Sequence, residues 1–526
     1  MAITLRTVTG SALTFDQLDT NFSSFFYSAS YSGGTITLFT TGSAESGSTI
    51  AGPASMSFTV PIVSQWTGST GVSSIESQIQ ITGSLVNGSG SISAPNSRFS
   101  HGEGFSTTAT GPFSHAEGAN SQATATGSHA EGFTTTATAN YAHAEGNQTI
   151  ASGLSSHAEG SGTTAVGAYS HAEGSNTVAS GQSSHTEGNF TTASGNFSHA
   201  EGEYNKATGT GTHAEGLFTV AQGSYSHAEG YYSTSSGDFS HAEGQATKAT
   251  GFYSHAEGHN TQATGTGSHA EGYYTLASGI YSHAEGNATA ASGPYSHAEG
   301  LTTIASGGYS HAEGENTIAS GSYSHAEGYG SIAIGNNSHA EADSVARGDY
   351  SHAEGRQTEA TGFYAHSEGF GSTASGNAAH SEGYLTVANY AYAHSEGDHT
   401  LASGPAAHAE GYYATASGDH SHAEGNNTVA SGNYQHVQGQ FNISSSAQSA
   451  FIIGNGTADG SRSNLVFASG SEFQITGSLM VNDILALTPR TTAPGSPVNG
   501  MIIISGSGVD QQIYCYLNNA WKPLGN

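Results

Sequence analysis

From His101 to His436 the chain repeats a His-x-Glu-Gly unit at a 14-residue step, a pattern no ordinary globular fold accommodates. There are 25 units, and 24 of them keep Glu two places after the His; the last reads Gln435-His436-Val437-Gln438-Gly439. Every step is 14 residues except the one from His339 to His352, which is 13. A fixed short period sustained this long means stacked copies of one small supersecondary unit.

One period, Tyr309 to Ser322, holds two five-residue halves closed by Gly: Ser-His-Ala-Glu-Gly and Thr-Ile-Ala-Ser-Gly. Two variable residues separate them. Gly at each end suits turns with positive φ, and the short runs suit strands. No apolar stripe of helical period occurs in the run, so helices are not expected there. Two short strands and two tight turns describe one coil of a narrow β-solenoid. Strand alternation sorts its side chains. Ser310 and Ala312 share one face with Thr317 and Ala319; His311 and Glu313 share the other with the variable Ile318. A cramped interior admits only the small set, so Ser, Ala and Thr are expected inside.

The two outer faces differ. The Thr-x-Ala-x face changes from copy to copy (Ile150, Val178, Lys206, Thr234, Lys248, Gln262, Leu276, Ala290, Glu359), as a solvated face does. The His/Glu face hardly changes, which implies one constant environment. A shared protein–protein interface is the simplest candidate.

The unit resembles the head repeats of YadA-like trimeric autotransporter adhesins, which run Ser-Val-Ala-Ile-Gly-x-x-Ala-x-Ala-x-Gly-x-x. Ser331-Ile332-Ala333-Ile334-Gly335 and Ser344-Val345-Ala346-Arg347-Gly348 sit nearest that wording. The resemblance covers roughly Pro95 to Gln440 and implies a left-handed parallel β-roll in a homotrimer. In that family the Val and Ile positions face the three-fold axis. Carried over, this puts an axial ladder at His115 and Glu117, His171 and Glu173, His227 and Glu229, His283 and Glu285, His311 and Glu313, His352 and Glu354, His422 and Glu424. A hydrophobic seam has become a polar one. Unpaired buried carboxylates are costly, but protonation of all 28 His would move the formal charge from −31 to −31 + 28 = −3. Charge-assisted His–Glu hydrogen bonds are therefore expected, with His pKa values raised and Glu values below about 4.3.

An aromatic residue often sits two places before the His, as at Phe99, Phe113, Tyr141, Tyr169, Phe197, Tyr225, Phe239, Tyr253, Tyr281, Tyr295, Tyr309 and Tyr323. These form a corner column, either stacking between coils or offering a sugar-binding stripe. The 13-residue step falls at Ala342-Asp343-Ser344, where Gly is replaced and a turn residue is missing; it is a local change of turn or tolerated drift. At a spacing of about 4.8 Å, 25 coils give a rod of roughly 120 Å, and such a rod needs capped ends.

With 74 Gly, 10 Pro and 9% charged residues among 526, the composition suits fibrous β structure over a compact enzyme. Nine Lys and Arg against forty Asp and Glu argue against binding nucleic acid or anionic membranes. Cys515 stands alone, which rules out an intrachain disulfide. The start, Met1 to Gly10, carries no apolar run suited to secretion, and no stretch of about 18 apolar residues could span a membrane as a helix.

At the N-terminus, Gly10 to Phe22 reads as a short helix with Thr14 and Gln17 as a capping box. It resembles "GSxLTxxELDxNF", a motif near the N-termini of phage tail fibre proteins, with Gln17 in place of Glu; a plain surface helix is the alternative. Gln80 to Leu85 recurs as Gln474 to Leu479, an adaptor strand reused or a coincidence of composition. The ending, with Tyr514, Tyr516 and Trp521, resembles the small β-knobs of phage fibre tips. These three are candidate receptor contacts, although Tyr514 and Trp521 also suit the knob's core.

The His-x-Glu pairs invite a metal reading, yet 25 stacked layers of metal is an extravagant one. No catalytic residue, cofactor or metal site is expected. The calcium nonapeptide is missing, and an ice-binding solenoid would need its Thr column outside. The expected protein is thus an all-β homotrimeric fibre with a left-handed parallel β-roll of about 25 coils, small β end domains and a short N-terminal helix. Residues 1–30 attach, 31–95 form a β-rich shaft or adaptor, 96–440 the roll, 441–488 a second adaptor and 489–526 a C-terminal knob. The expected role is a phage tail fibre in the virion. Its partners would be itself, a tail or baseplate protein at the N-terminus, and a host receptor or glycan at the C-terminus. An extracellular or cell-surface adhesive filament, and a metal- or mineral-binding solenoid, are the alternatives.

Overall fold

The computed structural model describes the strands at 26–32, 35–40, 55–59, 86–87 and 92–93, then residues 99–482, 495–497, 499–505 and 512–524. The helix expected near Thr14 and Gln17 lies outside the described residues, as does the 80–85 copy of the repeated adaptor segment. The architecture is an all-β parallel solenoid of about 25 turns. Among the described residues the one helical element is a 3-10 turn at Asp459–Ser461. The chain divides into two units, 1–338 and 339–526.

The first unit contains a three-stranded antiparallel sheet (Phe26–Ser32, Thr35–Thr40, Ser55–Thr59) and the coils of His101 to His325. The coils lay their His strands parallel, His on His and for the most part Ala on Ala, as in His255↔His269 and Ala256↔Ala270; Gly102 and Thr186 take the Ala place in their coils. The second strand stacks in the same way, as in Gln262↔Leu276 and Ala263↔Ala277. At one end, Val86–Asn87 and Ile92–Ser93 pair in parallel with residues of the first coil, closing an otherwise open edge.

Burial follows the alternation. Ala256, Ala263 and Thr261 are wholly buried, whereas His255 and Glu257 are partly exposed. The interior is thus built of Ala, Ser and Thr, as the cramped coil requires. Ser254 closes its turn by donating from Oγ to the Gly251 carbonyl at 2.7 Å, and the same bond recurs at Ser268 and Ser282. Asn205 takes a Thr slot and remains satisfied: its Nδ2 donates to Gly216 O at 2.6 Å, and its Oδ1 accepts from Thr219 N at 2.7 Å.

Each coil turns through left-handed backbone at two corners. One is the aromatic position before the His (Tyr281, φ 54°) and the other precedes the Thr strand (Tyr274, φ 56°). Aromatic residues tolerate this conformation because each ring leans on the preceding coil. Where that coil carries Gly, the ring takes the space a side chain would fill: a Cβ on Gly267 would lie 2.5 Å from the Tyr281 ring.

The second unit holds the coils of His339 to His436. The 13-residue step keeps the ladder in register, His339↔His352 and Ala340↔Ala353, so the lost residue is absorbed in the turn alone. Ala342 (φ 58°) and Asp343 (φ 66°) make that turn with two successive left-handed residues. At its far end the coil interior admits Val437 and Ile452, and Phe451–Asn455 adds a last parallel layer on His436–Gln440. Asn464–Ser469 and Glu472–Ile475 then continue as an antiparallel meander. Gln435 and Asn442 supply side-chain bonds to backbone where the repeat gives out: Gln435 Oε1 accepts from Ser431 N at 2.9 Å, and Asn442 Oδ1 from Val429 N at 2.7 Å. A separate antiparallel sheet joins Ile502–Ser505, Gln512–Leu517 and Ala520–Pro523, with Cys515 buried in it.

Candidate functional site: the His/Glu face and the aromatic corners

The parallel, in-register ladder stacks every imidazole on the next. In the first unit the ring centroids of His157, His171 and His185 are 4.7 and 4.8 Å apart, with planes within 2°. In the second, His366 and His380 stack at 4.7 Å. Each Nε2 points along the face toward the carboxylate column. The separations are 3.6 Å for His115–Glu117, 3.9 Å for His171–Glu173, 3.7 Å for His227–Glu229, 3.8 Å for His283–Glu285 and 3.7 Å for His352–Glu354. Others cross between coils: His311–Glu299 at 3.5 Å, His325–Glu313 at 3.3 Å, His422–Glu410 at 3.6 Å and His436–Glu424 at 3.8 Å. Most exceed hydrogen-bond length. Within one chain the His and Glu columns thus meet at 3.3–3.9 Å, with His325 and Glu313 at hydrogen-bond distance.

The protonation pattern differs from expectation, and geometry gives the reason. Burial, and then the neighbouring imidazoles above and below, hold His227 and His297 below the ordinary His value; the same causes bring His143 and His408 down to about 4. An imidazole sandwiched between imidazoles resists charging. The carboxylates divide. Glu173, Glu257 and Glu285 are pushed up to about 7, first because each, when protonated, donates a hydrogen bond to a neighbouring Glu, then by burial and charge repulsion. Their neighbours Glu159, Glu243 and Glu271 are held below the usual range as acceptors of those bonds. Like charges stacked one per coil oppose one another's ionisation, so Glu173, Glu257 and Glu285 hold their protons to higher pH than an ordinary carboxyl.

Beside the carboxylates runs a groove with a glycine floor. One stretch of about 540 Å³ is lined by Glu145, Glu159, Glu173 and Glu187 with Gly160, Gly174, Gly188 and Gly202. A second, of about 400 Å³, lies along Glu271, Glu285, Glu299 and Glu313. Successive coils also bring two imidazole ring nitrogens and one carboxylate oxygen within 4.8 Å of one another, as at His129, Glu131 and His143.

The aromatic column forms where the sequence places aromatics in succession: Tyr281–Tyr295 at 5.4 Å, Tyr295–Tyr309 at 4.8 Å and Tyr309–Tyr323 at 4.9 Å. A second column, at the opposite corner, escaped the sequence reading. Phe190, Tyr204, Phe218 and Tyr232 stack at 5.0, 4.8 and 4.8 Å. Their own 14-residue spacing is the signal that could have found them. In the C-terminal sheet, Tyr516 pairs with Trp521 across strands, ring centroids 5.2 Å apart; Tyr514, Tyr516 and Trp521 are all partly buried.

A parallel β-solenoid built from one repeated coil is of the structural, adhesin-like type. More particularly, seven stretches match the model of the YadA head domain repeat, taken as two copies: residues 144–170, 172–198, 214–240, 298–324, 326–351, 395–421 and 409–434. YadA head domains form homotrimers, and YadA-like adhesins are cell-surface or extracellular. Comparison with curated proteins returns no match. Among the described residues no helix is long and apolar enough to cross a membrane.

Proposed function

We propose that the protein is a non-enzymatic, homotrimeric adhesin fibre, in its finer assignment a phage tail fibre. Residues 1–30 attach to a tail or baseplate protein, 31–95 and 441–488 act as adaptors, and 96–440 serve as a stiff spacer. Residues 489–526 meet a host receptor or glycan through Tyr514, Tyr516 and Trp521. The observation that carries the reading is the contrast between the two outer faces: one varies freely, while the other repeats His and Glu in every coil from His101 to His422. A face held constant in a YadA-type repeat fits an interface shared by three copies, with affinity for the host multiplied by three tips.

Light scattering after size exclusion tests the assembly. A mass of about 160 kDa, three times 53.2 kDa, is expected; about 53 kDa overturns the shared face. For the tip, Trp521→Ala is expected to lower adsorption to host cells on the order of tenfold with the trimer mass unchanged. Full adsorption by that variant removes Trp521 from the contact. Recovery of the chain in purified virions separates the phage assignment from a cell-surface filament.

A further inference from the structure

We propose that the His/Glu face binds divalent first-row transition-metal ions, zinc foremost, each held by an imidazole and a carboxylate of one coil and the imidazole of the next. The donors are already gathered. One ring nitrogen each of His129 and His143 and a carboxylate oxygen of Glu131 lie within 4.8 Å of one another, and the same trio recurs along the face. A second observation points to a ligand. The Nε2 atoms of His129, His143 and His157 are buried and within hydrogen-bond distance of no partner. A buried nitrogen left this way is costly and calls for an occupant.

The distances discriminate further. His129 and Glu131 are 3.5 Å apart, and His241 and Glu243 are 3.6 Å apart. That is long for a hydrogen bond but close to the roughly 3.3 Å between two ligands that each lie about 2.0–2.1 Å from a tetrahedral ion. Rotation of the Glu side chain closes the remaining few tenths. The second imidazole must tilt out of the stack to converge on the same ion, because parallel rings aim their lone pairs side by side. Bound ions therefore occupy at most every second coil, which also keeps neighbouring dications apart. A donor set of two imidazoles and a carboxylate suits zinc, nickel, cobalt or copper; magnesium and calcium prefer all-oxygen sites. One chain supplies these ligands, so the site stands whether or not copies share the face.

The test uses the full-length protein, stripped with a chelator, dialysed against zinc chloride and analysed for metal. Several zinc ions per chain and a raised melting temperature are expected, with magnesium giving neither. Cobalt(II) in place of zinc should show the intense visible bands of tetrahedral coordination. A block variant with His→Gln at 227, 241, 255, 269, 283 and 297 keeps the strand alternation. Its bound zinc should fall by about a quarter, since the six altered His are about a quarter of the 25 that supply ligands and distant sites do not share them. Circular dichroism identical to the parent checks that the variant folds. No zinc above the dialysis buffer, zinc unchanged in the folded block variant, or a weak octahedral cobalt spectrum would each overturn the proposal.

Discussion

Gly258→Ala is expected to destabilise the roll by on the order of 3 kcal/mol or more, well beyond any single change on the outer faces. Gly258 has φ +105°, and a Cβ there would sit 2.2 Å from the carbonyl oxygen of Gly272 in the next coil. Backbone is what it would strike, so no side chain can move aside; the two coils must part and give up ladder bonds. Gly265→Ala should behave alike for a simpler reason. Its backbone needs no positive φ, but its Cβ would lie 2.0 Å from Gly279 O. The chain supplies its own control at Ala342, which stands where other coils have this Gly. There the turn is one residue shorter, φ is 58° and the side chain is exposed. Ala342→Gly should lie within about 1 kcal/mol of neutral. Thermal unfolding of the three variants checks the contrast; equal melting temperatures for Gly258→Ala and Ala342→Gly would remove the close-approach argument.

A dome-shaped dependence of stability on pH, measured in metal-free buffer, is the second large effect. His143 and His408 have folded pKa values near 4, lowered from 6.5. Their neutral form contributes stability that is complete above about 6.5 and is lost as pH falls toward 4. Glu173, Glu201, Glu229, Glu257, Glu285 and Glu313 are raised from 4.5 to about 7. Their protonated form contributes stability that is complete below 4.5 and is lost as pH rises through 7. The two slopes oppose each other between 4.5 and 6.5; above that window the raised Glu act alone, and below it the lowered His and the lowered Glu159, Glu243 and Glu271 lose stability together, so the melting temperature should peak in that window and fall on both sides. Replacing those six Glu by Gln mimics the protonated carboxyl and should abolish the alkaline fall while leaving the acid one. An unchanged alkaline limb in that variant would show that the protons of these carboxyls are not its cause.

Much of this architecture was legible because a strand's side chains alternate with period two. Ser310, Ala312, Thr317 and Ala319 could be assigned to the interior, and His311 and Glu313 to the surface, from spacing alone. The charge state was not legible. Adjacent His and Glu letters suggest pairing within a coil, whereas a parallel in-register ladder sets each residue against its own kind, and like neighbours suppress ionisation. Left-handed aromatic corners were hidden for a related reason. Propensity disfavours Tyr281 at φ 54°, yet there its ring covers Gly267 of the coil before and stacks on Tyr295 of the coil after.

The short coil at His339–His352 carries a consequence of its own. Where every layer repeats the last, copies assembling side by side could slide by one coil at little cost, because His would meet His again. The turn at Ala342–Asp343 breaks that translational symmetry. In the trimer proposed above, a copy displaced by 14 residues would set its shortened corner against a full one, so the missing residue would act as an index mark for the common alignment of the chains.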